Sequence, residues 1–287
     1  MRASTRSAWS HPGIRSLAPL LLWFFIPGTL SAQSGWIFGG DAFVRSSYVW
    51  RGVTRSSTWV LQPDLFLSAS MDRSSITVGW WSTIRLGSAD PVDPTDAGLG
   101  QAWFGQNDLW VEIAGRSEVV DFTGGVTRYL FADGAFGQSA DAVNTTEIYA
   151  TSRMSLGALI PRVALWVDVS RVRGAYLETS VDLRVPVLPS YEPVVAAYVS
   201  ALAGWSVGQE VNRQDPDEAA YFQDPGLTHL DFGLDVAVGR ERRYVSVGLH
   251  VLAAQDGGAR SGSGPSAGAS WWLGVGVSDS LVLGALW

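Results

Sequence analysis

The chain contains no cysteine and no lysine among its 287 residues, and only three histidines. Without cysteine there are no disulfides, so an exported chain of this size needs a large core or a closed sheet to hold it. All 20 basic residues are arginine, scattered without basic runs through an acidic chain of formal charge −7. That distribution argues against nucleic acid as a partner. Long apolar runs are almost absent too. The one exception, Leu17 to Pro27 (LAPLLLWFFIP), is too short for a transmembrane helix, which needs ~20 residues. Arg2, Arg6 and Arg15 precede it and small residues follow as far as Ala32, the order of a secretory signal peptide. Residues 1–32 are therefore expected to be an export signal, and 36–287 the mature barrel domain. Removing those three arginines takes the formal charge from −7 to −10.

What is present instead is a period of two. Phe38, Gly40, Ala42 and Val44 alternate with Gly39, Asp41, Phe43 and Arg45. Leu61, Pro63, Leu65 and Leu67 alternate with Gln62, Asp64, Phe66 and Ser68. The same division recurs in Thr146 to Leu156, Ala175 to Val185 and Thr228 to Val238, one face apolar and the other charged. About twelve such segments start near residues 37, 58, 75, 107, 118, 145, 161, 174, 193, 228, 243 and 267. Short connectors such as Asp72-Arg73-Ser74 alternate with long Gly-, Asp- and Ser-rich ones. Segments of about ten residues joined in that way predict an all-β, antiparallel transmembrane barrel of about 12 strands, with short periplasmic turns and longer extracellular loops.

A soluble β-sandwich or lipocalin-like barrel also alternates, but its outward face meets open solvent. Here the charged face also carries Phe43, Phe66, Trp81, Trp110, Tyr149, Trp166 and Trp272, which suits a lumen of restricted width. Trp50, Trp59, Trp80, Trp205, Trp271 and Trp287 lie near strand ends, where interfacial aromatic girdles form. Leu281, Leu283, Ala285 and Trp287 alternate into a terminal aromatic of the kind the barrel-assembly machinery recognises. Reading Ser278-Asp279-Ser280 as a turn would make this a thirteenth strand, so the count spans 12 to 14.

At Tyr48, Trp50, Arg51 and Gly52, followed by Gln62, the sequence resembles the TorF (Gcw_chp) family of outer-membrane porins. Glu147-Ile148-Tyr149-Ala150 and Tyr176-Leu177-Glu178 are weaker echoes, and the similarity runs from about residue 36 to 254. The resemblance implies a barrel of roughly twelve strands in the outer membrane of Gram-negative bacteria, with lipid and lipopolysaccharide around it.

Parity assigns Asp41, Asp64, Glu112, Asp121, Glu147, Asp168, Glu178, Asp182, Asp231 and Asp235 to the lumen as acids. Arg45, Arg51, Arg85, Arg153 and Arg184 are the inward bases, and Gln62 lies with them. An open lumen with that acid excess is expected to prefer cations. A salt-bridged network that closes the barrel is the alternative. Tyr48 and Trp50 are expected to face lipid.

Enzymatic chemistry has little material. His229 and His250 remain after export, both on inward parity, with Asp231 or Ser246 near them; a lipid-modifying barrel enzyme is the minor alternative. No third ligand is spaced for a metal, and no cofactor is implied. The loop acids Asp90, Asp93 and Asp96, and the glycine-rich 257–268 loop, read as solvated connectors.

Overall fold

The computed structural model describes residues 35–56, 58–87, 104–132, 144–188, 194–210, 220–222, 224–240, 243–254 and 269–285. The expected export signal, Trp287 and the loops holding Asp90 to Asp96 and 257–268 lie outside the described residues.

Twelve strands close into one antiparallel barrel: β1 (Gly35–Arg45), β4 (Val60–Met71), β5 (Ser74–Arg85), β6 (Phe104–Arg116), β7 (Val120–Phe131), β8 (Thr145–Met154), β9 (Leu159–Asp168), β10 (Ala175–Leu188), β11 (Val194–Val207), β12 (Gly226–Arg240), β13 (Arg243–Ala254) and β14 (Ala269–Ala285). β14 pairs with β1, so the sheet has no edge and its backbone groups are paired within the wall. The remaining two strands, β2 (Tyr48–Trp50) and β3 (Val53–Ser56), form a separate two-stranded hairpin between β1 and β4.

The alternation behaves inside out. Phe38, Leu65, Val78, Leu109, Phe122 and Phe232 are exposed on the outer wall, whereas Gln62, Thr77, Gln106, Thr127 and Glu147 are buried. Water gives no reason to expose that apolar belt; a hydrocarbon surround does.

Two expectations are corrected here. Ser278-Asp279-Ser280 is not a turn: β14 runs through it, pairing Ser278 with Asp41 on one side and Tyr244 on the other. The strand count of the barrel is therefore twelve, and the thirteenth segment was the second half of the twelfth. Tyr48 and Trp50 do not face lipid either. The chain leaves the wall after Arg45, and both aromatics sit on the inserted hairpin, with Tyr48 almost wholly buried. Alternation alone cannot separate a strand that continues in the wall from one that folds back, because both have period two.

Pro63 interrupts the ladder toward β5, as a residue without an N–H must. Leu61 pairs with Ile84 and Asp64 with Trp81, with no pair between them, while Pro63 keeps its place opposite Ala42 on β1. Ser82, which has no partner on β4, donates its hydroxyl to the Gln106 carbonyl on β6 at 2.9 Å.

Candidate functional site: a plugged lumen

The hairpin is built to turn sharply. Trp50 pairs with Val53 across a two-residue turn whose central residues, Arg51 (φ 50°) and Gly52 (φ 83°), both have positive φ. That is the pattern of a type I′ turn, which glycine adopts freely and arginine does not. At Gly52 a Cβ would also collide with the His229 ring, so the position requires glycine on two counts.

The turn delivers Arg51 to Glu147 on β8. Nη1 donates to Oε1 at 2.8 Å and Nη2 to Oε2 at 2.5 Å, a two-pronged pair with side chains 6% and 0% exposed. Gln209 Nε2 donates to the same Oε1 at 3.4 Å. The guanidinium lies over Trp50 and Tyr176, each 4.5 Å from its centroid, and 5.3 Å from Trp166. Burial works against its charge, but the Glu147 carboxylate outweighs that and raises the guanidinium pKa above its ordinary value.

Aromatic packing surrounds the latch. Trp50 meets Tyr221 edge-on at 4.8 Å, and Tyr129, Phe131, Tyr176 and Phe222 complete a buried cluster. Tyr48 donates its hydroxyl to Gln106 Oε1 on β6 at 2.8 Å, fastening the hairpin to the wall two strands beyond β4. Hairpin, Tyr221 and Phe222 together fill the loop end of the lumen.

Below this plug lies a cavity of about 420 Å³. It is lined by β9 to β14 and β1, with Arg45, Arg162, Asp182, Asp231, Asp235 and His250 as its ionisable groups. His250 bridges two carboxylates: Nδ1 is 2.8 Å from Asp231 and Nε2 is 3.3 Å from Asp235. Its ring stacks on Trp272 at 3.9 Å, and Arg45 lies over the same indole at 4.6 Å. Arg162 donates to Glu178 at 2.5 Å.

The sequence-assigned lumen residues thus fall into four groups. Arg51, Glu147, Asp168, Gln62 and Arg85 are at the loop end, all with buried side chains. Asp168 there accepts from Thr145 Oγ1 at 2.7 Å and from the Ser170 N–H at 2.9 Å, tying down the 169–174 connector. Arg45, Asp182, Asp231 and Asp235 line the cavity, and Glu178 pairs with the lining residue Arg162. Asp41 and Asp64 stand directly opposite on β1 and β4, and Glu112 accepts from the Tyr149 hydroxyl at 2.9 Å. Asp121, Arg153 and Arg184 lie toward the turn end, where Asp121 pairs loosely with exposed Arg116 at 3.3 Å.

Sequence reading missed Arg55, Asp108 and Arg162. Arg162 and Asp108 share inward parity with Trp166 and Trp110 on their own strands, so parity could have found them. Arg55 is on the hairpin, which parity does not describe. The three together add one acid and two bases, reducing the acid excess. His250 proved to be the partner of Asp231, rather than His229, which instead stacks on Tyr176 and contacts Thr228 at 2.9 Å. With both His250 nitrogens facing carboxylates, neither is directed to Ser246. Among the described residues no cluster of three or more potential ligands could hold a metal ion.

No family model matches the chain, and no curated protein does. Its fold is nevertheless that of solved outer-membrane barrels. An outer-membrane channel from Pseudomonas putida F1 superposes with a TM-score of 0.50 at 12% identity, over 89% of this chain and 99% of that one. LpxR from Salmonella typhimurium gives 0.49 at 8% identity, over 85% and 99%. OccK8 (OprE) from Pseudomonas aeruginosa gives 0.37 at 10%, over 87% and 98%. At such identities the likeness concerns the fold.

Proposed function

We propose that the protein is an outer-membrane channel for small solutes, held closed at its loop end by the β2–β3 hairpin. The observation that supports this most is the division of the lumen. A charged cavity, whose Asp235 and Arg162 side chains are about one-third exposed, lies beneath a plug fastened by the bidentate Arg51–Glu147 pair and the Tyr48–Gln106 hydrogen bond. A barrel needed only as a scaffold has no use for half-hydrated charges in its middle, because desolving them costs stability without return. Twelve strands leave room for ions and small solutes only.

The resemblance to the TorF family supports the same reading. Tyr48, Trp50, Arg51 and Gly52, which carry it, are the hairpin residues that make the plug. The export signal at residues 1–32, lipopolysaccharide around the outer belt, and assembly through the strand ending at Trp287 belong to this proposal. So does a preference for cations, which rests on the acid excess that persists after Arg55 and Arg162 are counted.

A second reading, a permanently closed barrel with surface roles, is favoured by the complete burial of Glu147 and the aromatic cluster around Trp50. Planar-bilayer conductance separates the two. The intact protein is expected to conduct little, and a variant lacking residues 47–58 to conduct steadily with cation preference. If the shortened barrel folds and stays silent, the channel reading falls; anion preference would remove the acidic-lumen part alone.

A further inference from the structure

We propose that the lumen cavity is a binding subsite for small zwitterions of the amino-acid class, basic amino acids foremost. This deepens the channel reading, and rests on it for the solute's passage but not for its binding.

The charges around the cavity are unequal in how well they are satisfied. Arg162 has Glu178, and His250 is spread between Asp231 and Asp235. Asp182 makes no ion pair or hydrogen bond among the described residues, and it sits beside the Ser180 and Ser200 hydroxyls. Arg45, reaching in from β1, has a buried Nε with no acceptor. Strands β11 to β14 separate β10 from β1, so this carboxylate and this guanidinium approach the cavity from distant parts of its wall.

The rings are already in use. Trp272 carries His250 at 3.9 Å and Arg45 at 4.6 Å, and Phe43 carries Arg45 at 5.3 Å. The His250 ring and the Arg45 guanidinium lie against the rings on which a sugar or an aromatic solute would stack. What the cavity offers a visitor is one under-used donor, one carboxylate with no direct hydrogen-bond or ion-pair partner among the described residues, and serine hydroxyls in the same lining. A solute carboxylate completes Arg45, and the distal side-chain ammonium of a basic amino acid completes Asp182. About 420 Å³ accommodates a solute the size of an amino acid.

The test is titration calorimetry on the full barrel in detergent micelles, with L-lysine and D-glucose as probes. Saturable lysine binding is expected, with glucose giving none. Asp182→Asn and Arg45→Gln should each weaken lysine binding about tenfold, the scale of losing one charged hydrogen bond. Equal binding of glucose, absence of lysine binding, or folded variants that bind lysine like the wild type would each overturn the proposal. The wild-type comparison of the two probes stands even if one variant fails to fold. Lysine binding without conductance in any variant would sink the channel and keep the subsite.

Discussion

Glu147 is fully buried, and Arg51 is what makes its charge tolerable there. Removing one partner leaves the other without compensation, which costs about 3–5 kcal/mol. Arg51→Gln is therefore expected to lower the denaturant midpoint in micelles. The double variant Arg51→Gln with Glu147→Gln should recover much of the loss; a double variant as weak as the single would mean the pair's burial is not the source. Inward glycines form a second residue-scale device. Gly276 lies opposite Phe43, Gly79 opposite Trp110 and Gly125 opposite Tyr149, each ring lying over the bare backbone of its cross-strand partner. A Cβ at Gly276 would strike the Phe43 ring, which in turn supports Arg45. Gly276→Ala should cost about 1–3 kcal/mol, the range for overpacking, and Phe43→Leu added to it should relieve part of the cost. Urea titration followed by heat-modifiable gel mobility measures both.

Among the elements, the hairpin and β14 are the two whose nature the alternation left open. Both obey period two, yet one leaves the wall and the other continues through a Ser-Asp-Ser sequence that looks like a turn. The difference lies in partners: residues 277 and 278 of β14 have neighbours on β1 and β13 at once. Ser278→Pro is accordingly expected to lower the yield of folded protein, since it removes an N–H where the pairing to both neighbours is unbroken, unlike at Pro63. If 278–280 were a turn, proline there would be tolerated, and folding yield after refolding decides. In the hairpin, Gly52→Val combines a disfavoured positive φ with a clash against His229. It should unseat the plug without removing its residues, and its signature is higher conductance than the wild type with the barrel still resistant to heat.

At the level of the whole molecule, closure and contents obey separate rules. The wall closes because every strand finds two neighbours, and that holds whatever fills the lumen. The contents divide along the axis into an aromatic plug that holds the buried Arg51–Glu147 pair and a wetter cavity toward the turns. This division predicts that removing residues 47–58 raises conductance while the heat resistance of the barrel changes modestly. The hairpin's own contacts are lost, but no wall ladder is. Collapse of the barrel on that deletion would show the plug to be part of the structural core.

The division of labour between sequence and tertiary structure follows from what each kind of signal encodes. Strand period, lipid-facing positions such as Phe38, Leu65 and Phe232, and the inward parity of Asp41, Glu147 and Asp235 were legible because alternation is a local property of the pleat. The starts of the twelve wall strands were legible for the same reason, but not the far ends of β1 and β14. Tertiary structure alone decided that Tyr48 to Ser56 fold into the barrel, since the choice depends on Glu147, Gln106 and Tyr221, far along the chain. It alone decided that Asp231 meets His250 and that Arg162 meets Glu178, because which inward charges pair is set by strand register and side-chain reach across neighbouring strands. Period two places a side chain on a face; only closure of the barrel says what stands across from it.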